Sequence, residues 1–376
     1  MDQSGPAPLP EWVRTYEAAK RSGSIPDIAP SKLDANGVPS YAANVDQGIN
    51  GICSHTTQFC LHPTDVVHAN DGQMGVAFDD GPHQGSDLLL QFFSRHRDVL
   101  TGTHFLIGGR IAADIPGFQR IVRGGGHLAS HTWSHTPITL LDDMGVLGEL
   151  GWTNQIIYDL TGHVPRFWRP PTGDVDNRIR AIAWEVFGLE TVIWNHDTYD
   201  WCLNPGASAG CASWGITTPQ QLDRNLAEWL RGPKSPGLMI LHHESSNATA
   251  NGFIRNFPLM QSQGWNTTTV ADSIRQPWYL PIGTGVGQGP AGQRFNNGNA
   301  VNTTSRTSGR VQLATSTGGN IVGNSTNGVP APTTPISTGP EDSTATPTGQ
   351  TNNGPASTKS MSLTLFAAGV ISFLFW

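Results

Sequence analysis

Five short polar clusters in the middle of the chain hold the residue types that hydrolytic chemistry needs. The first, Ala77 to Pro82, reads AFDDGP and sets two carboxylates, Asp79 and Asp80, side by side before a Gly-Pro turn. Neighbouring side chains on a strand leave from opposite faces, so one carboxylate can hold a metal while the other takes a proton. The second, Ser130 to His135, reads SHTWSH. His131 and His135 stand four apart, the spacing at which two side chains share one face of a helical turn, and imidazole nitrogen suits zinc at about 2.0 to 2.1 Å. Two imidazoles and one carboxylate leave a coordination position for water. The third, Arg166 to Ile179, carries Pro170 and Pro171, which stiffen a loop able to hold Arg169 against a carboxylate. Backbone amides near Thr172 in the same loop could donate to a developing oxyanion. The fourth, HDTYDW, ends in Asp200 and Trp201, and the fifth, LHHE, contains Leu241 and His243. An Asp beside a Trp supplies a charge to orient a distant His and a flat wall for an apolar group. Each cluster alone also reads as ordinary structure. With thirteen His before residue 244, chance pairs are expected.

The elements around these clusters alternate in type. Apolar runs end at polar residues: MGVAF before Asp79, THFLI before Gly108, HLASH into Trp133, RFW before Arg169, TVIW before Asn195 and LMIL before His242. Between them lie helically spaced stretches such as DLLLQFFSRH and LAEWLRG. Strand and helix in alternation predict an α/β fold with a parallel sheet, and in a parallel barrel the working groups sit on loops at the carboxyl ends of strands. No fixed-period repeat points to a solenoid or propeller. Residues 1–60, rich in Pro, Gly and Asn with one helix in EWVRTYEAAKR, read as a wrapping extension. Residues 61–282, with ten of the twelve Trp, read as the catalytic-sized domain.

All five clusters, in this order, make the chain resemble the carbohydrate esterase family 4 polysaccharide deacetylases, which carry the NodB homology domain, and among them the fungal chitin deacetylases. The resemblance covers about Val67 to Ile282 and implies a distorted (β/α) barrel. It implies Asp79 as general base, and Asp80, His131 and His135 as ligands of one divalent metal, zinc first, with cobalt or manganese as alternatives. It further implies His243 as general acid tuned by Asp200, Arg169 as the residue that holds the base, and Trp201 and Leu241 as the wall around an acetyl methyl. Where the family usually has an aromatic residue, this chain has Thr172; the family's oxyanion donor at that place is a backbone amide. Ala77 replaces the usual Thr. The implied reaction is removal of N-acetyl groups from chitin, giving chitosan and acetate in cell-wall modification. Xylan or peptidoglycan as the polymer, and a non-catalytic wall-anchored carbohydrate-binding protein, are the alternatives.

Composition limits the partners. The 376 residues carry a net charge of -7 with only 14 % charged residues, so no basic face exists to neutralise a phosphate backbone, and nucleic acid is excluded as an expectation. Four cysteines, Cys53, Cys60, Cys202 and Cys211, fit no CxxC pattern. Short-range disulfides are the preferred reading, Cys53 with Cys60 and Cys202 with Cys211, with all three pairings open. Sequons at Asn247, Asn266, Asn302 and Asn324 agree with a secretory route. The opening MDQSGPAPLPEW does not have the basic start and apolar stretch of a secretory signal.

From 283 to 358, Gly, Ser, Thr, Asn and Pro fill 52 of 76 positions, too few apolar groups to offset ordering entropy. A disordered, O-glycosylated stalk is expected there. The apolar tail within 359–376, preceded by Asn352, Asn353 and Gly354 and a short polar spacer, has the layout of a glycosylphosphatidylinositol attachment signal. The expectation is an extracellular monomer tethered to the plasma membrane, and possibly the wall, by a lipid anchor.

Overall fold

The apolar runs become short parallel strands because their side chains are buried on both faces of the sheet. The computed structural model describes residues 5–282 with the exception of 99 and 208. Its principal elements are α1 (Pro10–Arg21), β1 (Gln73–Gly75), β2 (Ala77–Gly81), α2 (Gln84–Ser94), β3 (Thr103–Leu106), α3 (Ile115–Gly124), β4 (His127–Ser130) and α4 (Asp143–Thr161). They continue with β5 (Phe167–Trp168), α5 (Asn177–Phe187), β6 (Glu190–Thr191), β7 (His196–Asp197), α6 (Pro219–Arg231), β8 (Leu238–Leu241), α7 (Asn247–Ser262) and β9 (Asn266–Thr268).

One parallel sheet runs β2-β3-β4-β5-β6 and a second runs β7-β8-β1-β9. A parallel bridge from Asp79 to His243 joins them, Val66 pairs with Val192 just beyond β6, and Asn195 N donates to Met239 O at 3.0 Å where β7 runs beside β8. The result is a distorted α/β barrel. Because the strands run in one direction, their carboxyl ends share a rim, and all five polar clusters fall on it. Inside, Ala77, Phe105, Ala129, Phe167, Val192 and Met239 pack together.

Helix sequences explain how the outer layer seats. Leu222, Leu226 and Leu230 recur every fourth residue along α6 and are buried, against a cluster that includes Phe253 and Phe257 of α7. Thr218 and Gln221 close a capping box at its start. Full burial of one such Leu contributes about 1.5 to 3 kcal/mol, and Leu226→Ala, which also leaves a cavity, costs about 2 to 5 kcal/mol. Helix α5 starts where the Asp176 side chain accepts from Ile179 N at 2.8 Å, and ends at Gly188 in the left-handed region, φ 66°.

The extension is part of the core. Helix α1 buries Trp12, Tyr16 and Ala19 against α4 and α5, with the Trp12 ring edge-on to Phe187 at 5.7 Å. Cys53 is bonded to Cys60 and Cys202 to Cys211, the local pairing of the three. Asn247 and Asn266 are exposed. Among the described residues no helix is long and apolar enough to cross a membrane. The stalk, the apolar tail, Asn302, Asn324, Asn352, Asn353 and Gly354 lie outside the described residues.

Candidate active site

Two local expectations about the rim fail, and both failures bring ligands together. Simple alternation would send Asp79 and Asp80 apart. Instead Asp80 takes φ 78° and the pairing register with β3 slips between Asp79 and Gly81, so both carboxylates reach the same imidazole: His131 Nε2 is 3.7 Å from Asp79 Oδ2 and 3.6 Å from Asp80 Oδ1. The two histidines do not share a helical face, because the chain from His131 to Pro137 is not helical. Left-handed Thr132 (φ 63°) and His135 (φ 60°) fold the loop back on itself, which sets the two rings 4.9 Å apart.

Asp80, His131 and His135 each offer one ligand atom, and the three atoms lie within 4.8 Å of one another. Asp80 Oδ1 is 3.2 Å from His135 Nε2, yet it is buried without a hydrogen bond. His131 Nδ1 contacts Arg169 O at 2.7 Å, which assigns the proton to Nδ1 and leaves Nε2 turned inward as a lone-pair donor. A buried carboxylate oxygen lacking a donor, facing two imidazoles of which His131 has its tautomer fixed, fits a divalent cation. Burial pushes the Asp80 carboxyl up, but His135, His243 and Arg110 outweigh it and hold it well below the usual range. Burial pushes His131 well below its ordinary value, toward the neutral ligand form.

Asp79, 2 % exposed, accepts from Arg169 Nη1 at 2.6 Å. Burial raises its carboxyl to about 6 against the pull of the arginine, so it is ionised at neutral pH yet basic enough to take a proton. Arg169 is fully buried, its guanidinium 4.2 Å from the centroid of the Phe105 ring. Asp200, also fully buried, grips His243 twice: Oδ1 lies 2.6 Å from Nδ1, and Oδ2 accepts the His243 backbone N–H at 2.9 Å. Burial opposes the charge on His243, but Asp200 first, then Asp80 and Asp79, hold it up at about 10. Their surroundings thus leave Asp79 able to take a proton and His243 holding one near neutral pH, the pairing that acid–base hydrolysis would need.

The remaining expected residues take supporting places. Leu241 is buried at the end of β8, its carbonyl accepting from Thr198 Oγ1 at 2.7 Å. Trp201 is half-buried beside Asp200. Thr172 is exposed and left-handed, φ 55°, with its hydroxyl turned back on Pro171 O; among the described residues its N–H donates to no protein acceptor. Two carboxylates escaped the sequence reading. Asp197 is half-buried at the end of β7, its carboxyl raised to about 6 by loss of solvent and within electrostatic reach of His243. It lies in the HDTYDW cluster, three residues before Asp200. Glu149 lies buried in α4 and accepts the N–H groups of Trp133 and Ser134, both at 2.8 Å; no motif marks it.

The polysaccharide deacetylase family model matches residues 67–191. Chitin deacetylase from Amylomyces rouxii is 30 % identical over 300 residues, covering 72 % of this chain and 68 % of that protein. The chain belongs to the polysaccharide deacetylase family. Chitin deacetylase 3 from Cryptococcus neoformans var. neoformans is 36 % identical over 264 residues, and this chain spans only 62 % of that relative's length. The structure of the chitin deacetylase from the fungal pathogen Colletotrichum lindemuthianum superposes with TM-score 0.50 at 17 % identity, over 57 % of this chain and 95 % of that one. That likeness concerns the fold. The family match ends at residue 191, and Asp200, Leu241 and His243 lie on the same rim as Asp79 by the geometry described above.

Proposed function

We propose that this chain hydrolyses the N-acetyl groups of a chitin-type N-acetylglucosamine polymer, using one divalent metal, and releases acetate and a free amine. The observation that carries it is the convergence, on one rim, of an Asp-His-His triad whose Asp80 Oδ1 has no hydrogen bond with an arginine-held Asp79 and an aspartate-held His243. The relatives named chitin deacetylase favour chitin as the polymer. One carboxylate and two imidazoles favour zinc among the divalent ions. Bound there, the cation would polarise the acetyl carbonyl and lower the pKa of its water toward about 7.

The protein's own groups do the rest. Asp79 takes a proton from the attacking water, and Arg169 keeps the carboxylate aimed and ionised. The Thr172 N–H donates to the carbonyl oxygen as negative charge develops on it. The C–N bond breaks as His243 gives its proton to the departing nitrogen, and Asp200 steadies the ring through the transfer. Every group named comes from one chain, which supports action as a monomer.

The test combines metal content of the purified protein with acetate release from N-acetylglucosamine oligomers, acetylated xylan and peptidoglycan. Acetate from the oligomers alone supports chitin; release from another polymer alone replaces it, and a metal-loaded protein inactive on all three sinks the enzyme reading. For location, we propose an extracellular protein held to the membrane by a glycosylphosphatidylinositol anchor near Asn352, Asn353 or Gly354. The paired cysteines agree with an oxidising compartment, and release from cells by a phosphatidylinositol-specific phospholipase is the check.

A further inference from the structure

Glycines carve a path from the N-terminal segment toward the metal loop. Gly148 and Gly151 lie on the face of α4 that the segment covers: a Cβ on Gly148 would come within 2.4 Å of Pro6 O, and one on Gly151 within 2.4 Å of the Trp12 ring. A Cβ on Gly5 would come within 2.9 Å of Gly148 C, so the close approach needs glycine on both sides. Trp152 Nε1 adds a hydrogen bond to Ala7 O at 2.9 Å. The first described residues are thus strapped along α4.

Glu149 sits under that strap. Its Oε1 accepts from Gly5 N at 2.7 Å and from Ser134 Oγ at 2.8 Å, and its Oε2 accepts from Trp133 N and Ser134 N, both at 2.8 Å. A carboxylate has about four acceptor sites, and four donors are in place here. Three of them come from Trp133 and Ser134, two of the three residues that lie between ligand His131 and ligand His135. That stretch is held in a conformation that side chains with a Cβ disfavour: Thr132 is left-handed although β-branched, and His135 is left-handed as well. Such a backbone persists only where its surroundings over-determine it. Carbonyl contacts help, with Gly108 N on Thr132 O and Gly109 N on Trp133 O, both at 2.9 Å, but the loop N–H groups of Trp133 and Ser134 are fastened by Glu149.

We propose that Glu149 is a positioning residue that couples the N-terminal strap to the histidines of the metal loop, so that Gly5 to Ala7 complete the metal site without touching it. The inference rests on the metal reading above, and a direct binding measurement separates the two. The full chain is stripped of metal and titrated with zinc against a chromophoric chelator at fixed pH, while urea unfolding is followed on the same samples. Outer partners of metal ligands are worth about 10- to 100-fold in affinity, so Glu149→Gln is expected to weaken zinc binding by at least about tenfold. Gly148→Ala, which displaces the strap and leaves every metal-loop side chain in place, is expected to weaken it several-fold in the same direction. Leu226→Ala, in the α6–α7 core, is the stability control: its unfolding midpoint falls and its zinc affinity stays within about twofold.

Zinc affinity unchanged in folded Glu149→Gln overturns the positioning role, and unchanged affinity in Gly148→Ala overturns the strap's part in it. If Glu149→Gln does not fold, Glu149→Asp, which keeps the charge and shortens the reach by one methylene, is read by the same criterion. A wild-type chain that binds no divalent metal removes the metal reading itself.

Discussion

Two carboxylates flank the SHTWSH loop, buried Glu149 and half-buried Asp80, and they are treated in opposite ways. Glu149 accepts four hydrogen bonds from protein donors, whereas Asp80 Oδ1 accepts none. An unpaired polar atom in the interior costs free energy comparable to a lost hydrogen bond, and around Asp80 Oδ1 two imidazoles stand where a cation would complete it. The satisfied carboxylate fastens the loop, and the unsatisfied one is left open toward His131 and His135. The same contrast separates the two ends of the barrel: apolar packing among Phe105, Phe167 and Met239 inside, and shifted acids and bases at the rim.

The comparison can be broken most severely by removing what Asp80 is built to hold. Chelation of the divalent metal is expected to abolish acetate release without unfolding the protein, read by circular dichroism alongside the assay; activity that survives exhaustive chelation would end the claim that Asp80 is left open for a cation. Next in size, Asp79→Asn removes the base and is expected to lower acetate release by about 10² to 10⁴; a near-normal rate would move the base to another residue. Arg169→Met leaves the Asp79 carboxylate buried without its partner and is expected to cost about 3 to 5 kcal/mol of stability. Urea unfolding checks this, and a loss below about 1 kcal/mol would show that the rim tolerates uncompensated charge better than the comparison allows.

A smaller effect sharpens the electrostatic side. His243 must carry its proton to act as acid, and Asp200 holds it at about 10. In Asp200→Asn that support is gone, so the alkaline limb of kcat/KM is expected to move down from about pH 10 toward the ordinary histidine range near 6.5. Stability follows the same sign. Because the folded-state value is raised, the pair stabilises fully below about pH 6.5 and the contribution is lost as pH rises through about 10. A pH–rate profile unchanged in Asp200→Asn would detach the two residues. The smallest effect belongs to Thr172. On the proposed mechanism its N–H, not its side chain, donates to the oxyanion, so Thr172→Ala is expected to change kcat by less than about threefold; a larger loss in a steady-state assay would give the side chain a part.

Much of this site was legible because its chemistry sits in short contiguous strings. Residue type made Asp79, Asp80, His131, His135, Arg169, Asp200 and His243 candidates, the resemblance of all five clusters in order to the polysaccharide deacetylases assigned them roles, and the apolar run before each cluster located it at a strand end. The two local geometries drawn from spacing were wrong for one reason. Alternation along a strand and the four-residue helical repeat both assume regular backbone, and Asp80, Thr132 and His135 each adopt a positive φ that only tertiary contacts can hold. Glu149 was invisible for a related reason. It bonds to residues fifteen or more positions away along the chain, and nothing in GVLGELGW distinguishes it from a solvent-facing helix glutamate. Asp197 was in view but unassigned, because burial, which raises its carboxyl, is not a local property.

By itself, the amino-acid sequence determined which side chains could bind a cation, take a proton or give one, and that alternating strands and helices would carry them, since these depend on residue chemistry and local periodicity. Tertiary structure alone decided which carboxylate would be satisfied and which left open, and that an N-terminal strap would lie against the helix bracing the metal loop. Those outcomes depend on which donors are brought within about 3 Å across long stretches of chain, and short-range pattern carries no information about that.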